Sequence, residues 1–294
     1  MSVIEIKNLT RDYGGKGVFD LTLSVESGET FGFLGPNGAG KTTAIRHLTG
    51  FLKPQKGSCA VNGLDCWAES PKIHGSLGYL PGEIAFFDDM TGLDFLNFIA
   101  EYRRVKDKTR MRSLLERFEL DARGKIKKMS KGMKQKVGIT AAFMHDPAAL
   151  ILDEPTSGLD PLMQSRFIEL ILEENKRGKT ILMSSHMFEE VERTCRRVAI
   201  IKNGRLATVD SIDKLKAAQV KKYVITLENE KAALAFAKEF AEEDVSETRV
   251  TVSIAGNIRE LISQMNKYPV AGISMPGQSL EEIFMQYYGG NKNV

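Results

Sequence analysis

The chain has 294 residues, 42% of them hydrophobic, which suits one large domain or a large domain with a small one. A formal charge of +3 excludes the strongly basic balance that would argue for a nucleic-acid partner. No stretch approaches the ~18 apolar residues of a membrane-spanning helix, and residues 1–5 lack the basic start and apolar core of a signal peptide, so a cytoplasmic chain is expected.

Apolar and polar residues first alternate in two short runs, Ile4-Glu5-Ile6 and residues 19–25, which read as antiparallel strands. Thr30-Phe31-Gly32-Phe33-Leu34 runs as a strand into a glycine-rich turn, with a helix from about Lys41. A strand over residues 77–80 precedes a stretch, about 90–135, whose pattern turns helical. There Leu93, Leu96, Ile99 and Ala100 share one face, and Met111, Leu114, Leu115 and Phe118 another. Lys127, Lys128, Lys131, Lys134 and Lys136 form a basic run that reads as a solvated helix face.

Residues 149–152, 180–183 and 198–201 read as further strands. The first is apolar without alternation, as in a parallel sheet buried on both faces. Asn203-Gly204 makes a two-residue hairpin turn ahead of Leu206. Cys59, Cys66 and Cys195 show no metal-ligand spacing and imply a reduced compartment, with Cys195 packed in a helical pattern. Beyond Leu215, strands over 223–227 and 250–254 and helices over 232–240 and 258–265 predict a separate unit. The expected fold is α/β over residues 1–215, with an antiparallel β subdomain and a helical insert, then a small α+β domain over 216–294.

Gly35-Pro36-Asn37-Gly38-Ala39-Gly40-Lys41-Thr42 satisfies the phosphate-loop pattern G-x4-G-K-[ST], with a strand before it and a helix after. Glycines let the backbone curl so that successive N–H groups face one anion, and the helix adds its positive N-terminal end. Lys41 is then expected to reach the β- and γ-phosphates of ATP, and Thr42 to place its hydroxyl on Mg²⁺. Leu150-Ile151-Leu152-Asp153-Glu154 is the second element, a buried strand that projects two acids at its carboxyl end. Asp153 is expected to hold Mg²⁺ through water, and Glu154 to orient or deprotonate the attacking water.

With these elements the sequence resembles the ABC ATPase family over roughly residues 2–215. Met129-Ser130-Lys131-Gly132-Met133 sits where the family carries its signature, usually Leu-Ser-Gly-Gly-Gln. Ser157-Gly158-Leu159-Asp160 looks like the D-loop, His186 like the switch histidine, and Tyr13 like the ring that stacks on adenine. The resemblance implies a P-loop NTPase core in which Tyr13 and the run from Gly35 to Thr43 bind ATP, and Glu154 and His186 act in hydrolysis. Ser130, Lys131, Gly132 and Met133 would reach the ATP of a second copy, with Ser130 opening a helix whose N-terminus is an anion site. It further implies an ATP-dependent homodimer. A transmembrane permease would be the partner and would itself hold the transported substrate, placing this chain on the cytoplasmic face of the membrane.

Two positions depart from the family pattern. Lys131 and Met133 replace the usual Gly and Gln, and Lys131 either adds a charge-assisted phosphate contact or sits in solvent. After Leu77-Gly78-Tyr79-Leu80-Pro81 the family places a glutamine; here stand Gly82 and Glu83, so that contact is absent or supplied by Glu83. A single nucleotide domain with a further unit behind it, the Lys-Gly-Met-Lys-Gln variant signature at 131–135, the Tyr-Leu-Pro-Gly-Glu loop and Leu280-Glu281-Glu282-Ile283-Phe284 resemble exporter subunits of the ABC-2 type. A soluble ABC ATPase with a non-membrane target, or a regulator that only binds ATP, are the competing readings. Phe86, Phe87 and Met90 either line a groove for a permease helix or pack the insert on the core. The C-terminal domain reads equally as a dimer-stabilising appendage or a partner-contacting module.

Overall fold

The computed structural model describes residues 1–87, 89–217, 221–239, 245–254 and 258–275. The chain divides into two compact units, Met1–Ile212 and Asp213–Val294. Leu280-Glu281-Glu282-Ile283-Phe284 and the end of the helix expected to reach Phe240 lie outside the described residues.

In the first unit β1 (Ser2–Asp12) and β2 (Gly17–Glu26) pair antiparallel. Both outrun the alternating patches that signal them, because register shifts break the alternation while the ladder continues through the buried Leu9 and Val18. Ile4, Ile6 and Leu9 of β1 and Leu21, Leu23 and Val25 of β2 are buried. β3 (Thr30–Leu34), buried throughout, leads through the glycine-rich loop into α1 (Lys41–Leu48). The helix sets Ala44, Ile45 and Leu48 into the same apolar cluster as Ile4, Ile6 and Leu21. β4 (Lys56–Val61) and β5 (Leu64–Asp65) complete a sheet of order β2-β1-β4-β5. Half of β4 is exposed, which is why its sequence carries no alternation.

After α2 (Ser70–Ser76) and β6 (Leu77–Leu80) come α3 (Gly92–Tyr102), α4 (Thr109–Arg117) and α5 (Lys131–Phe143). A capping box starts α3: Thr91 Oγ1 accepts the Asp94 N–H while the Asp94 carboxylate accepts the Thr91 N–H. Leu96, Ala100, Met111, Leu114 and Phe118 are buried, as the helical period requires. The basic run is not one helix face. Lys127 and Lys128 lie on a separate 3₁₀ turn, Ile126–Lys128, whereas Lys131, Lys134 and Lys136 belong to α5.

The central sheet adds β7 (Ala149–Asp153), β8 (Thr180–Ser185), β9 (Arg197–Lys202) and β10 (Arg205–Ser211), with α6 (Pro161–Lys176) and α7 (Phe188–Thr194) between them. Its order is β10-β9-β3-β8-β7-β6. β9, β3, β8, β7 and β6 run parallel, and β10 returns antiparallel through the Asn203-Gly204 turn. Every residue of β7 and β8 is buried, which accounts for their unbroken apolar runs. The register sets Leu34 beside Ser185 and Asp153 beside Ser184, so the carboxyl ends of β3, β7 and β8 meet on one edge.

Cys195 falls one residue past α7, in extended backbone, rather than inside a helix. All three cysteines are free and buried, and burial pushes the Cys195 thiol up to about 12.

α8 (Ile212–Ala217) begins where the chain divides. The second unit contains β11 (Lys221–Leu227), α9 (Glu230–Glu239), β12 (Val245–Ser246), β13 (Arg249–Ile254), α10 (Arg259–Met265) and β14 (Val270–Ser274). Its antiparallel sheet has the order β12-β13-β11-β14, the split β-α-β arrangement. Ile225, Leu227, Phe236, Val250, Val252 and Leu261 form its own core. Among the described residues no helix is long and apolar enough to cross a membrane.

Candidate functional site

Residues 35–40 leave the buried end of β3 and enter α1. Gly40, at the N-cap of α1, has φ 112°, and a Cβ there would lie 3.0 Å from the Gly17 carbonyl, so the loop can run this close to β2 only with glycine. Ala39 is buried beneath the loop and its carbonyl accepts the Gly204 N–H at 2.9 Å. Tyr13, half exposed, faces Pro36, Asn37, Gly38, Gly40 and Thr43 across a cavity of about 270 Å³. The Arg11 guanidinium sits 5.0 Å from the centre of the Tyr13 ring.

Lys41 opens α1 and is buried. Its Nζ donates to the Gly35 carbonyl at 2.5 Å and lies 3.0 Å from Glu154 Oε1. Thr42 Oγ1 donates to Asp153 Oδ2 at 2.8 Å. The other carboxylate oxygen of Asp153 accepts a short hydrogen bond from Ser184 Oγ, and both groups are fully buried. Glu154 has φ 50°, a turn out of β7 held by its N–H, which donates to Ser184 O at 3.2 Å and Ser184 Oγ at 3.1 Å. Glu154 Oε2 lies 2.5 Å from His186 Nδ1. The structure therefore brings the loop, both acids and His186 together.

Ser184 stands outside every motif, and Tyr79 and Gln135 lie within motif stretches that assign them no role. Ser184 ties Asp153 to the backbone of Glu154. Gln135 of α5, buried, donates to the Pro155 carbonyl at 2.7 Å and holds the turn after Glu154. Tyr79 lies in the same cleft, its hydroxyl pushed up to about 12 by burial and then by the Asp153 carboxylate.

Ser130 caps α5, its Oγ accepting the Met133 N–H at 3.2 Å. Gly132 lies against Gly158: a Cβ at 132 would stand 2.6 Å from the Gly158 carbonyl. The signature and D-loop stretches thus touch within one chain, and the Lys131 side chain packs over Gly158. Asp160 caps α6, accepting the Met163 N–H at 3.0 Å ahead of Pro161, while Leu159 is buried. Lys131, Ser157, Glu154 and His186 border one cleft of about 680 Å³ that also contains Gly82 and Glu83.

An apolar groove of about 620 Å³ opens between this edge and α3. Phe51, Phe87, Phe98 and Tyr102 line it and are exposed. Phe86 instead packs edge-on against Phe95 at 5.0 Å and borders the cleft, and Met90 is held by backbone hydrogen bonds to Phe87 and Ile126.

Residues 18–157 match the ABC transporter family model. The linearmycin resistance ATP-binding protein LnrL of Bacillus subtilis is 30% identical over 98% of this chain and 98% of its own. The bacitracin transport ATP-binding protein BcrA of Bacillus licheniformis is 32% identical, with the same coverage of each. Among solved structures, an ATP-binding subunit of an ABC transporter superposes with TM-score 0.68 at 30% identity, over 74% of this chain and 92% of that one. The dimeric cassette MJ0796, at 23% identity and TM-score 0.64 over 71% of this chain and 98% of that one, shares the fold. A chain whose phosphate loop, paired acids and facing histidine meet on one sheet edge, and which aligns end to end with such proteins, belongs to the ABC transporter family as an ATP-binding subunit.

Proposed function

We propose that the chain hydrolyses ATP as the motor subunit of an ABC-2 type exporter, dimerising around the nucleotide to drive a separate transmembrane permease. The observation that carries this reading is Glu154, held at the end of β7 between Lys41 at 3.0 Å and His186 at 2.5 Å. Residues 1–215 form the nucleotide-binding domain and 216–294 an accessory one.

In this reading the N–H groups of residues 35–40 and the end of α1 cradle the phosphates, with Lys41, Thr42 and Thr43 beside them and Tyr13 stacked on the base. Phosphate oxygens entering the loop compete for the Lys41 ammonium, which releases Glu154. The freed carboxylate takes a proton from the attacking water while His186 holds it in line. Among the described residues no cluster of three or more His, Cys, Asp or Glu side chains could cage a metal. The paired oxygens of Asp153 and Thr42 fit Mg²⁺, which keeps waters and shares phosphate oxygens. Mg²⁺ bound there would neutralise charge on the β- and γ-phosphates.

Ser130, Lys131, Gly132 and Met133 present the capped N-terminus of α5 to the ATP of a second copy, and Ser157, Gly158, Leu159 and Asp160 lie against it. Their contact in one chain supports a shared movement when the dimer closes. The groove of exposed aromatics beside the cleft supports a permease helix as occupant, which would hold the chain at the cytoplasmic face. The names of the linearmycin and bacitracin relatives support export.

Glu154→Gln should bind ATP and dimerise while turnover falls by at least ~100-fold. Full turnover in that variant removes Glu154 from its role. Affinity capture from detergent-solubilised native membranes should recover a polytopic membrane protein. An active ATPase recovered without one indicates a free-standing enzyme instead.

A further inference from the structure

Behind Glu154 and His186 lies a buried acid that no part of the mechanism above uses. Glu190 of α7 is 2% exposed. Its Oε2 accepts from Ser185 Oγ at 2.8 Å and from Thr156 Oγ1 at 3.2 Å, two hydroxyls that are also buried. Ser185 immediately precedes His186, and its Oγ also accepts the Met187 N–H at 2.9 Å, so the turn carrying His186 closes on that one hydroxyl. Thr156 lies two residues past Glu154, at the start of the turn that leads to Ser157–Asp160, and its hydroxyl reaches Met187 Sδ at 3.8 Å. One carboxylate oxygen thus joins the segment that carries Glu154 to the segment that carries His186.

We propose that Glu190 is a positioning residue, a latch that ties Thr156 to Ser185 and thereby holds His186 against Glu154. It rests on the hydrolytic reading above, because the pair it aligns is the one assigned to hydrolysis. Three features separate a latch from ordinary packing. A Leu or Met would fill this space without the desolvation cost of a carboxyl group. Burial, offset in part by the Ser185 and Thr156 hydroxyls and reinforced by the nearby Glu154 charge, pushes the Glu190 carboxyl up to about 7. The second oxygen, Oε1, is buried and finds no hydrogen-bond partner among the described residues. In the protonated acid Oε1 carries the proton and Oε2 accepts from both hydroxyls. Glutamine reproduces that arrangement, with its carbonyl in the place of Oε2. The charge of Glu154 at the end of β7 is felt at the carboxyl, whose own charge acts on the Cys195 thiol after α7, and Glu190 lines one cavity with Glu189 and Arg193 of its own helix and the uncharged Gln164, Ser165 and Ile168 of α6.

The test compares the full-length chain with Glu190→Gln and Glu190→Ala by steady-state ATP hydrolysis and by NMR of the histidine rings. Four histidines in the chain make His186 assignable by subtraction with His186→Ala. Glu190→Ala should lower kcat by about tenfold or more, since small misplacements of reacting groups are costly, with KM for ATP within about twofold. Glu190→Gln should recover kcat to within about threefold of wild type. The His186 ring signals should move in the alanine variant and not in the glutamine one. Unchanged kcat and unchanged His186 signals in Glu190→Ala overturn the proposal. So does equal impairment of both variants, because glutamine keeps the acceptor oxygen on which the latch depends; Glu190→Met, which fills the space without that acceptor, should be impaired like alanine, and full activity in it is the mark of packing alone. Should Glu190→Ala fail to fold, Thr156→Val and Ser185→Ala each remove one donor and should each move the His186 signals; if neither does, the latch is refuted. The ring signals report without turnover, so wild type and Glu154→Gln hydrolysing alike would sink the hydrolytic reading while leaving the latch to its own result.

Discussion

Ser184→Ala is the sharpest single test of how the site is held. Ser184 Oγ is fully buried and serves two neighbours, donating to Asp153 Oδ1 and accepting the Glu154 N–H at 3.1 Å. Alanine leaves Glu154 its bond to the Ser184 carbonyl at 3.2 Å, so little is lost there. Asp153 Oδ1 is different: among the described residues no second donor reaches it, and a buried carboxylate oxygen without a donor costs about 2–3 kcal/mol. For a unit of this size that corresponds to a fall of about 5–10 °C in unfolding temperature. The remaining Thr42 bond no longer fixes the carboxylate plane, so the Mg²⁺ concentration giving half-maximal hydrolysis should rise about tenfold, an orienting partner's usual worth. Calorimetric unfolding and Mg²⁺ titration of ATPase activity check both, with Ser184→Thr, which keeps the hydroxyl, as the control. Unfolding within about 0.5 kcal/mol of wild type together with an unshifted Mg²⁺ dependence would refute the assignment, because such small effects belong to surface substitutions.

Gly132→Ala drives a Cβ to 2.6 Å from the Gly158 carbonyl, backbone against backbone; it should cost about 1–3 kcal/mol and weaken ATP-dependent dimerisation, read by unfolding and by sedimentation. Lys131→Gly removes a side chain that packs over Gly158 at the edge of the cleft, and should weaken the ATP-bound dimer of the Glu154→Gln protein about fivefold. Acid should destabilise the chain in two windows. Burial first and the Arg103 charge second hold the His145 imidazole down at about 4, so its contribution is intact above its ordinary 6.5 and is lost as pH falls from there through 4. Burial pushes the Asp146 carboxyl up, but hydrogen bonds from Lys179 and Arg177 outweigh it and leave the group at about 2, so its contribution is lost as pH falls from 3.8 through 2. Unfolding temperature against pH should therefore flatten above about 4 in His145→Ala and below about 4 in Asp146→Asn; unchanged profiles would remove either group from acid unfolding.

What the sequence made legible was local. Gly35 to Thr42 needs only its own spacing, and residues 149–152 announce burial on both faces because a parallel strand flanked by helices has no polar side to show. Ser130 is readable as the start of a helix and is its cap, whereas Asp160, which reads only as part of the D-loop, also caps one. What stayed hidden depends on register between distant segments. Ser184 looks like one of two serines at a strand end until β7 and β8 pair and set it beside Asp153. Gln135 and Glu190 sit in helices where a polar residue normally faces water, and only packing turns them inward.

Register also gives a physical reason for Gly82. β6 pairs with β7 so that Leu80 stands beside Leu152, which carries the chain past Pro81 alongside Asp153. A Cβ at position 82 would lie 3.3 Å from Asp153 Oδ2, the oxygen that accepts from Thr42. That contact is tighter than ordinary packing, and the carboxylate cannot yield easily because Thr42 and Ser184 hold both of its oxygens. With this backbone path a side chain at 82 would press on Asp153, whereas glycine leaves the acid in place. Glu83, one residue on, then carries the only carboxylate that this loop brings to the cleft among its described residues. The loop between β6 and α3 therefore meets this edge through backbone and an exposed acid rather than an amide. It continues through Phe87 into the aromatic groove, so an occupant of that groove would press directly on the segment that borders Asp153.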